Sequence, residues 1–223
     1  MRSALKPPRG EARPNIPGAA MHVLVLAPSK HLTYGVDLGS GAFVRMHHDQ
    51  PARSHDAPRY GDVAIGQLGV DPDAAVGTRP AEDVLLQAPL RRVGLMKQRQ
   101  IDKTLVPLQH RTGRPLFGCE GPALPMWGVD STTCAVSLVE PESDLAITVA
   151  QQGTTVRFRW RQYTYQLPVN DARVNRRLDW LPDSPVTGRP LAQVMGFYPR
   201  RLLLALSEPD NGYCYKTAVA LLR

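Results

Sequence analysis

The last stretch of the chain, Arg201 to Leu222, constrains the fold more than any other. Two apolar runs, Leu202 to Leu206 and Tyr213 to Leu222, flank Glu208-Pro209-Asp210-Asn211-Gly212. Asp, Asn and Gly accept the left-handed backbone of a tight reversal, and the two runs are too continuously apolar to keep a solvent face. The pattern predicts a β-hairpin deep in the core, which makes the C-terminus part of the centre of the fold.

A second hairpin is predicted over Thr155 to Leu167, and its register can be worked out on paper. Closing the turn at Arg161-Gln162 sets Val156 opposite Leu167, Phe158 opposite Tyr165 and Trp160 opposite Tyr163. The intervening pairs are Arg157 with Gln166 and Arg159 with Thr164, so one register sorts an apolar face from a polar face across both strands. Arg-Gln lacks the glycine or asparagine that a two-residue turn prefers, which leaves a four-residue loop from Trp160 to Tyr163 as the alternative. A third hairpin is expected over Tyr34 to Met46 around Gly39-Ser40-Gly41, after a strand at His22 to Ala27 and before another at Asp62 to Val70. Residues 47 to 59 and Asp71 to Pro80 read as loops.

Short helices are predicted over Leu95 to Gln109, Asn170 to Leu181 and Thr187 to Met195. In the second, Asn170 or Asp171 is placed to accept the first free backbone donors, with Val174, Leu178 and Leu181 on one face. In the third, Pro190 suits the first turn and Gly196 the terminating cap. The run from Gly113 to Gly128 is irregular, and is expected to pack on the core through Leu116, Phe117, Leu124 and Trp127.

The 21 prolines and 18 glycines in 223 residues favour short elements joined by turns, and so β over α. The fold class expected is mainly β, an antiparallel barrel or two-layer sandwich built of hairpins, with two or three short helices. Residues 21 to 223 are read as a single β-rich globular domain. Residues 1 to 20, basic and proline-rich, have too little apolar surface to offset the entropy of ordering them and are expected to be a disordered tail. Met21 is an alternative start.

Charge and cysteine content narrow the function classes. Of the formal net charge of +7, Arg2, Lys6, Arg9 and Arg13 against Glu11 put +3 in the first twenty residues, leaving a mildly basic body at +4. That balance speaks for solubility rather than for a dedicated nucleic-acid surface. Cys119, Cys134 and Cys214 are odd in number, widely spaced and without a CxxC pair, so thiols in a reducing cytoplasm are expected, Cys134 and Cys214 as core residues of strands. No apolar stretch approaches the roughly 20 residues that cross a bilayer, and no membrane association is expected.

Three constellations bear on chemistry. Gly39-Ser40-Gly41-Ala42-Phe43-Val44 resembles a phosphate loop only in its glycines, because the third glycine and the following helix are missing, so a hairpin turn is the better reading. His47, His48, Asp49, His55 and Asp56 form the densest group of metal-ligand types, and His47, His48 and His55 are the candidate ligands of a metal-dependent hydrolase. Adjacent histidines at a strand end point to opposite faces, which works against joint ligation. Arg157, Arg159 and Arg161 are the candidates for binding an acidic partner. The derived register puts the rings of Phe158, Trp160, Tyr163 and Tyr165 on the opposite face, away from any stacking role. No cofactor motif, catalytic elbow or fixed-period repeat is found. The leading reading is a cytoplasmic, non-catalytic binding or protein-interaction module. The alternatives are a hydrolase using the His47 to Asp56 loop and a weak nucleic-acid binder using Arg157 to Arg161.

Overall fold

The computed structural model describes residues 18–29, 31–48, 57–69, 80, 82–129, 133–178 and 184–223. Contacts divide the chain into two compact units, Met1–Ala75 with Ala81–Thr104 and Val76–Pro80 with Leu105–Arg223. Of the predicted tail, residues 1–17 lie outside the described residues, and the first strand already begins at Ala20. The protein is mainly β, 47% strand against 18% helical, and matches the expected architecture of antiparallel hairpins with three short helices.

The first unit is one six-stranded sheet. Its strands are β1 (Ala20–Ala27), β2 (Leu32–Asp37), β3 (Phe43–His48), β4 (Asp62–Gln67), β5 (Asp83–Leu86) and β6 (Arg91–Leu95). They lie in the order β5-β3-β2-β1-β4-β6. Every pairing is antiparallel except β3 with β5, where Arg45 lies beside Asp83 and His48 beside Leu86. On one face Met21, Val23 and Val25 of the central β1 join Val44, Met46, Ala64 and Leu86 in a core. The β2–β3 reversal is the predicted one at Gly39-Ser40-Gly41. Its amide donors do converge on an anion, but that anion is the buried carboxylate of Asp37, which accepts from Gly39 N at 3.1 Å, Ser40 N at 3.0 Å and Ser40 Oγ at 2.7 Å. An internal carboxylate thus takes the place a phosphate would need. Helix α1 (Gln98–Leu105) follows β6 and buries Ile101 and Leu105, one helical turn apart. A 3₁₀ turn, Val106–Leu108, completes the helix predicted over Leu95 to Gln109, while Leu95 itself is strand and exposed.

The second unit packs two four-stranded sheets through one core. One sheet has the order β11-β10-β9-β12, from β9 (Ala146–Ala150), β10 (Gly153–Trp160), β11 (Tyr163–Pro168) and β12 (Val186–Thr187). The other has the order β7-β14-β13-β8, from β7 (Ala123–Pro125), β8 (Val136–Val139), β13 (Arg201–Leu206) and β14 (Tyr213–Leu222). Ile147, Phe158, Trp160 and Tyr165 of the first sheet meet Val139, Leu202, Leu204 and Leu221 of the second. Helices α2 (Ala172–Leu178) and α3 (Gly188–Met195) add Val174, Leu178, Leu191 and Met195 to that core.

The C-terminal hairpin closes as its turn residues dictate. Asp210 and Tyr213 exchange backbone hydrogen bonds at 2.8 and 3.0 Å, and Asn211 and Gly212 between them both take positive φ, 49° and 81°. That is the two-residue turn whose twist matches paired strands. Asp171 caps α2 by accepting from Arg173 N at 2.9 Å, and from 3.0 Å accepts the buried Leu221 N as well. Position 181 lies outside the described residues. Gly196 ends α3 with φ of 71°.

Two expectations need correction. Trp127 does not pack on the core: it follows β7 in a 3₁₀ turn and is 81% exposed, beside Tyr213 with ring centroids 6.4 Å apart, while Leu116 and Leu124 are buried as expected. Cys134 is exposed and lies outside any strand, whereas Cys214 is buried in β14. The difference is positional. Cys214 alternates inward with Lys216, whereas Cys134 precedes β8 by two residues.

Candidate acidic-partner interface

The hairpin of β10 and β11 forms in the derived register. Val156 pairs with Leu167, Arg157 with Gln166, Phe158 with Tyr165, Arg159 with Thr164 and Trp160 with Tyr163. Phe158, Trp160 and Tyr165 are buried, and the Phe158 and Tyr165 rings stack at 5.5 Å, so the apolar face is consumed by the core. Arg157 and Arg159 stand exposed on the other face, two residues apart and therefore about 7 Å apart along the strand.

The three arginines differ in what already holds them. Arg161 is the first residue of a two-residue turn, with φ of 57°. Its guanidinium lies 4.0 Å from Glu142 and 5.9 Å from the centre of the Trp160 ring. Arg159 donates from Nε to the Arg161 carbonyl at 3.3 Å. Arg157 has neutral cross-strand neighbours on both sides, Gln166 in β11 and Ala146 in β9. Among the described residues neither Arg157 nor Arg159 makes an ion pair. The backbone of Glu142 and Ser143 runs beside Arg159, through Glu142 N to the Arg159 carbonyl at 2.9 Å and Arg159 N to Ser143 Oγ at 3.3 Å. Those residues border an open polar cleft of about 270 Å³ lined also by Glu140, Asp144, Tyr198 and Arg200. Tyr198 donates its hydroxyl to Asp144, and that bond, ahead of burial, raises the phenol above its ordinary range. Glu142 and the cleft were not legible in the sequence, because they reach Arg161 and Arg159 from a loop some twenty positions earlier.

Of the three candidate metal ligands, the structure describes His47 and His48. His47 and His48 end β3 rather than entering the loop, and their side chains part to opposite faces. His47 Nε2 lies 3.5 Å from Asp83 Oδ2, while His48 Nε2 sits 2.9 Å from Thr33 Oγ1. His55 lies outside the described residues, as do Asp49 and Asp56. Among the described residues no three His, Cys, Asp or Glu side chains gather as a metal site. Asp83 instead receives a two-pronged bond from Arg45, at 2.5 and 2.6 Å, with both side chains almost wholly buried. Burial pushes the Asp83 carboxyl up, but hydrogen bonds from His47 and Arg45 outweigh it and hold the group below the usual carboxylate range. His48 is held below its ordinary value by burial first and then by the neighbouring His47 and His31. The charge-assisted fork ties the four-residue β5 to β3 across the parallel edge.

Comparison with protein-family models, with curated proteins and with solved structures gave no match.

Proposed function

We propose that this protein is a non-catalytic binding module that takes an extended acidic segment of a protein partner on the outer face of the β9–β12 sheet. The observation that carries this reading is the pair Arg157 and Arg159, exposed on one flat face with no carboxylate of the chain paired to them among the described residues. Alternate residues of an extended peptide repeat at about 7 Å, the spacing of the two guanidinium stems, so carboxylates at every second position meet both. A protein segment is favoured over single-stranded nucleic acid because the aromatic rings that would stack bases are buried on the opposite face. A cytoplasmic setting belongs to the same proposal and is supported by three cysteines of which none forms a disulfide. No helix among the described residues is long and apolar enough to cross a membrane.

The test is fluorescence anisotropy with a labelled oligoglutamate peptide and a labelled single-stranded oligonucleotide, each titrated at several salt concentrations. Exposed ion pairs contribute about 0.2–1 kcal/mol each and are screened by salt. The peptide is expected to bind more weakly as salt rises and to lose at least tenfold in affinity in the double variant Arg157→Glu, Arg159→Glu. Peptide binding indifferent to that variant, or oligonucleotide binding alone, overturns the reading.

A further inference from the structure

Strand β14 carries a lysine at an inward position. Lys216 is 0% exposed, opposite Leu206 of β13, with Cys214 and Ala218 buried two residues to either side. Its amine donates to the carbonyl of Cys119 and lies 5.2 Å from the centre of the Tyr165 ring. Among the described residues no carboxylate pairs with it, and Glu120 acts on it only through space. Burial pushes the amine below the ordinary lysine range, against the opposing influence of the Cys119 side chain. A buried amine with a larger neutral fraction is a nucleophile.

The residue whose carbonyl holds that amine carries a thiol. Cys119 is only half-buried, and its sulfur approaches the carbonyls of Ala123 at 3.3 Å and Gly121 at 3.6 Å. Its backbone is fixed from the N-terminal side. Leu116 N donates to the Tyr165 hydroxyl at 3.1 Å, and Phe117 and Gly118 follow with φ of 57° and 80°. Cys119 is therefore partly open to solvent while its own carbonyl holds the Lys216 amine.

We propose that Cys119 and Lys216 form a redox-sensitive pair in which peroxide oxidises the thiol and the amine captures the product as a sulfur–nitrogen cross-link. In the first step the Cys119 thiolate attacks one peroxide oxygen. The S–O bond forms, the O–O bond breaks, sulfur loses two electrons, and the departing hydroxide leaves as water with the thiol proton. In the second step the lone pair of Lys216 Nζ attacks that sulfur. The S–O bond breaks, the oxygen leaves as a second water with a proton from nitrogen, and the S–N bond remains. Thiol, amine and one peroxide become a sulfenamide and two waters. Two equivalents of a small thiol reverse it, the first displacing the amine and the second releasing Cys119.

The experiment is treatment of the full chain with hydrogen peroxide, followed by intact-mass and tryptic-peptide analysis. The expected product is lighter by two hydrogens, about 2 Da. It contains a linked pair of peptides bearing Cys119 and Lys216, has lost tryptic cleavage after Lys216, and recovers both features in dithiothreitol. Cys119→Ser abolishes the change, while Cys214→Ser leaves it intact. Lys216→Met leaves a sulfenic acid at Cys119 that dimedone labels. A Cys119–Cys214 disulfide, further oxidation of Cys119 with Lys216 still cleavable, or no modification each overturns the proposal, and the wild-type reaction decides it whether or not a variant folds.

Discussion

Replacing Gly35 by alanine tests how closely β1 and β2 are joined. Gly35 lies opposite Val25 in β1 and Val44 in β3. A methyl group there would sit 2.5 Å from Val23 Cγ1 and 2.6 Å from the Leu24 carbonyl oxygen. The valine methyl can turn away, but the carbonyl belongs to the central strand of the sheet. Reaching an ordinary contact of 3.4 Å requires a shift of about 0.8 Å in backbone whose neighbours Leu24 and Val25 are fully buried. Overpacking of this kind costs about 1–3 kcal/mol, and weakening one ladder hydrogen bond adds about 1 kcal/mol. The lower entropy of the unfolded alanine chain returns about 0.4–1 kcal/mol. The net expectation is a loss of about 1–3.6 kcal/mol. Urea unfolding should be followed by far-ultraviolet circular dichroism, with native-state hydrogen exchange of the Val23 to Leu26 amides. Tryptophan fluorescence serves as the comparison, because Trp127, Trp160 and Trp180 all belong to the second unit. A Gly35→Ala protein within 0.5 kcal/mol of wild type would refute the reasoning, since it would mean that the two strands separate freely at this point.

Two further outcomes are expected. Stability should fall in two steps with acid. The folded state holds His48 below its usual 6.5, so as pH drops from there the unfolded chain takes up the proton first and stability is lost. The folded state also holds Asp83 below its usual 3.8, so stability present above that value is lost as pH falls through the lowered one. Thermal melts across pH should show His48→Gln removing the upper step alone, while Asp83→Asn removes the lower step and costs about 3 kcal/mol at pH 7 by taking the carboxylate from the buried Arg45 fork. At the β10–β11 turn, Arg161→Asn should stabilise by about 0.5–1 kcal/mol, since φ of 57° suits asparagine, and losing the exposed contact to Glu142 forfeits only a few tenths. An unchanged melting temperature would show that the turn carries no such cost.

The sequence alone was enough wherever neighbours in space are also neighbours along the chain. Strand alternation set the β10–β11 register, Asn211-Gly212 set the C-terminal turn, and Gly196 set the end of α3. In each case the deciding force is local: which backbone angles a residue tolerates, or which face a side chain takes at period two. The same locality placed Arg157 and Arg159 on an exposed face, so the arginine half of the candidate interface was legible.

What the chain could not announce were the partners that arrive from afar. Asp83 meets Arg45 across a parallel pairing 38 positions away, and the sequence marked no strand there. Asp171 reaches Leu221 over 50 positions, and the Cys119 carbonyl receives Lys216 over 97. Nor did composition warn that Trp127 faces solvent while Lys216 is buried, an inversion of their transfer preferences. A residue's solubility is a preference of about a few kcal/mol at most for an apolar side chain, and position within a packed sheet overrules it. Local chemistry therefore fixed the strands and turns of this protein, and only the tertiary structure decided which polar groups were sealed together inside them.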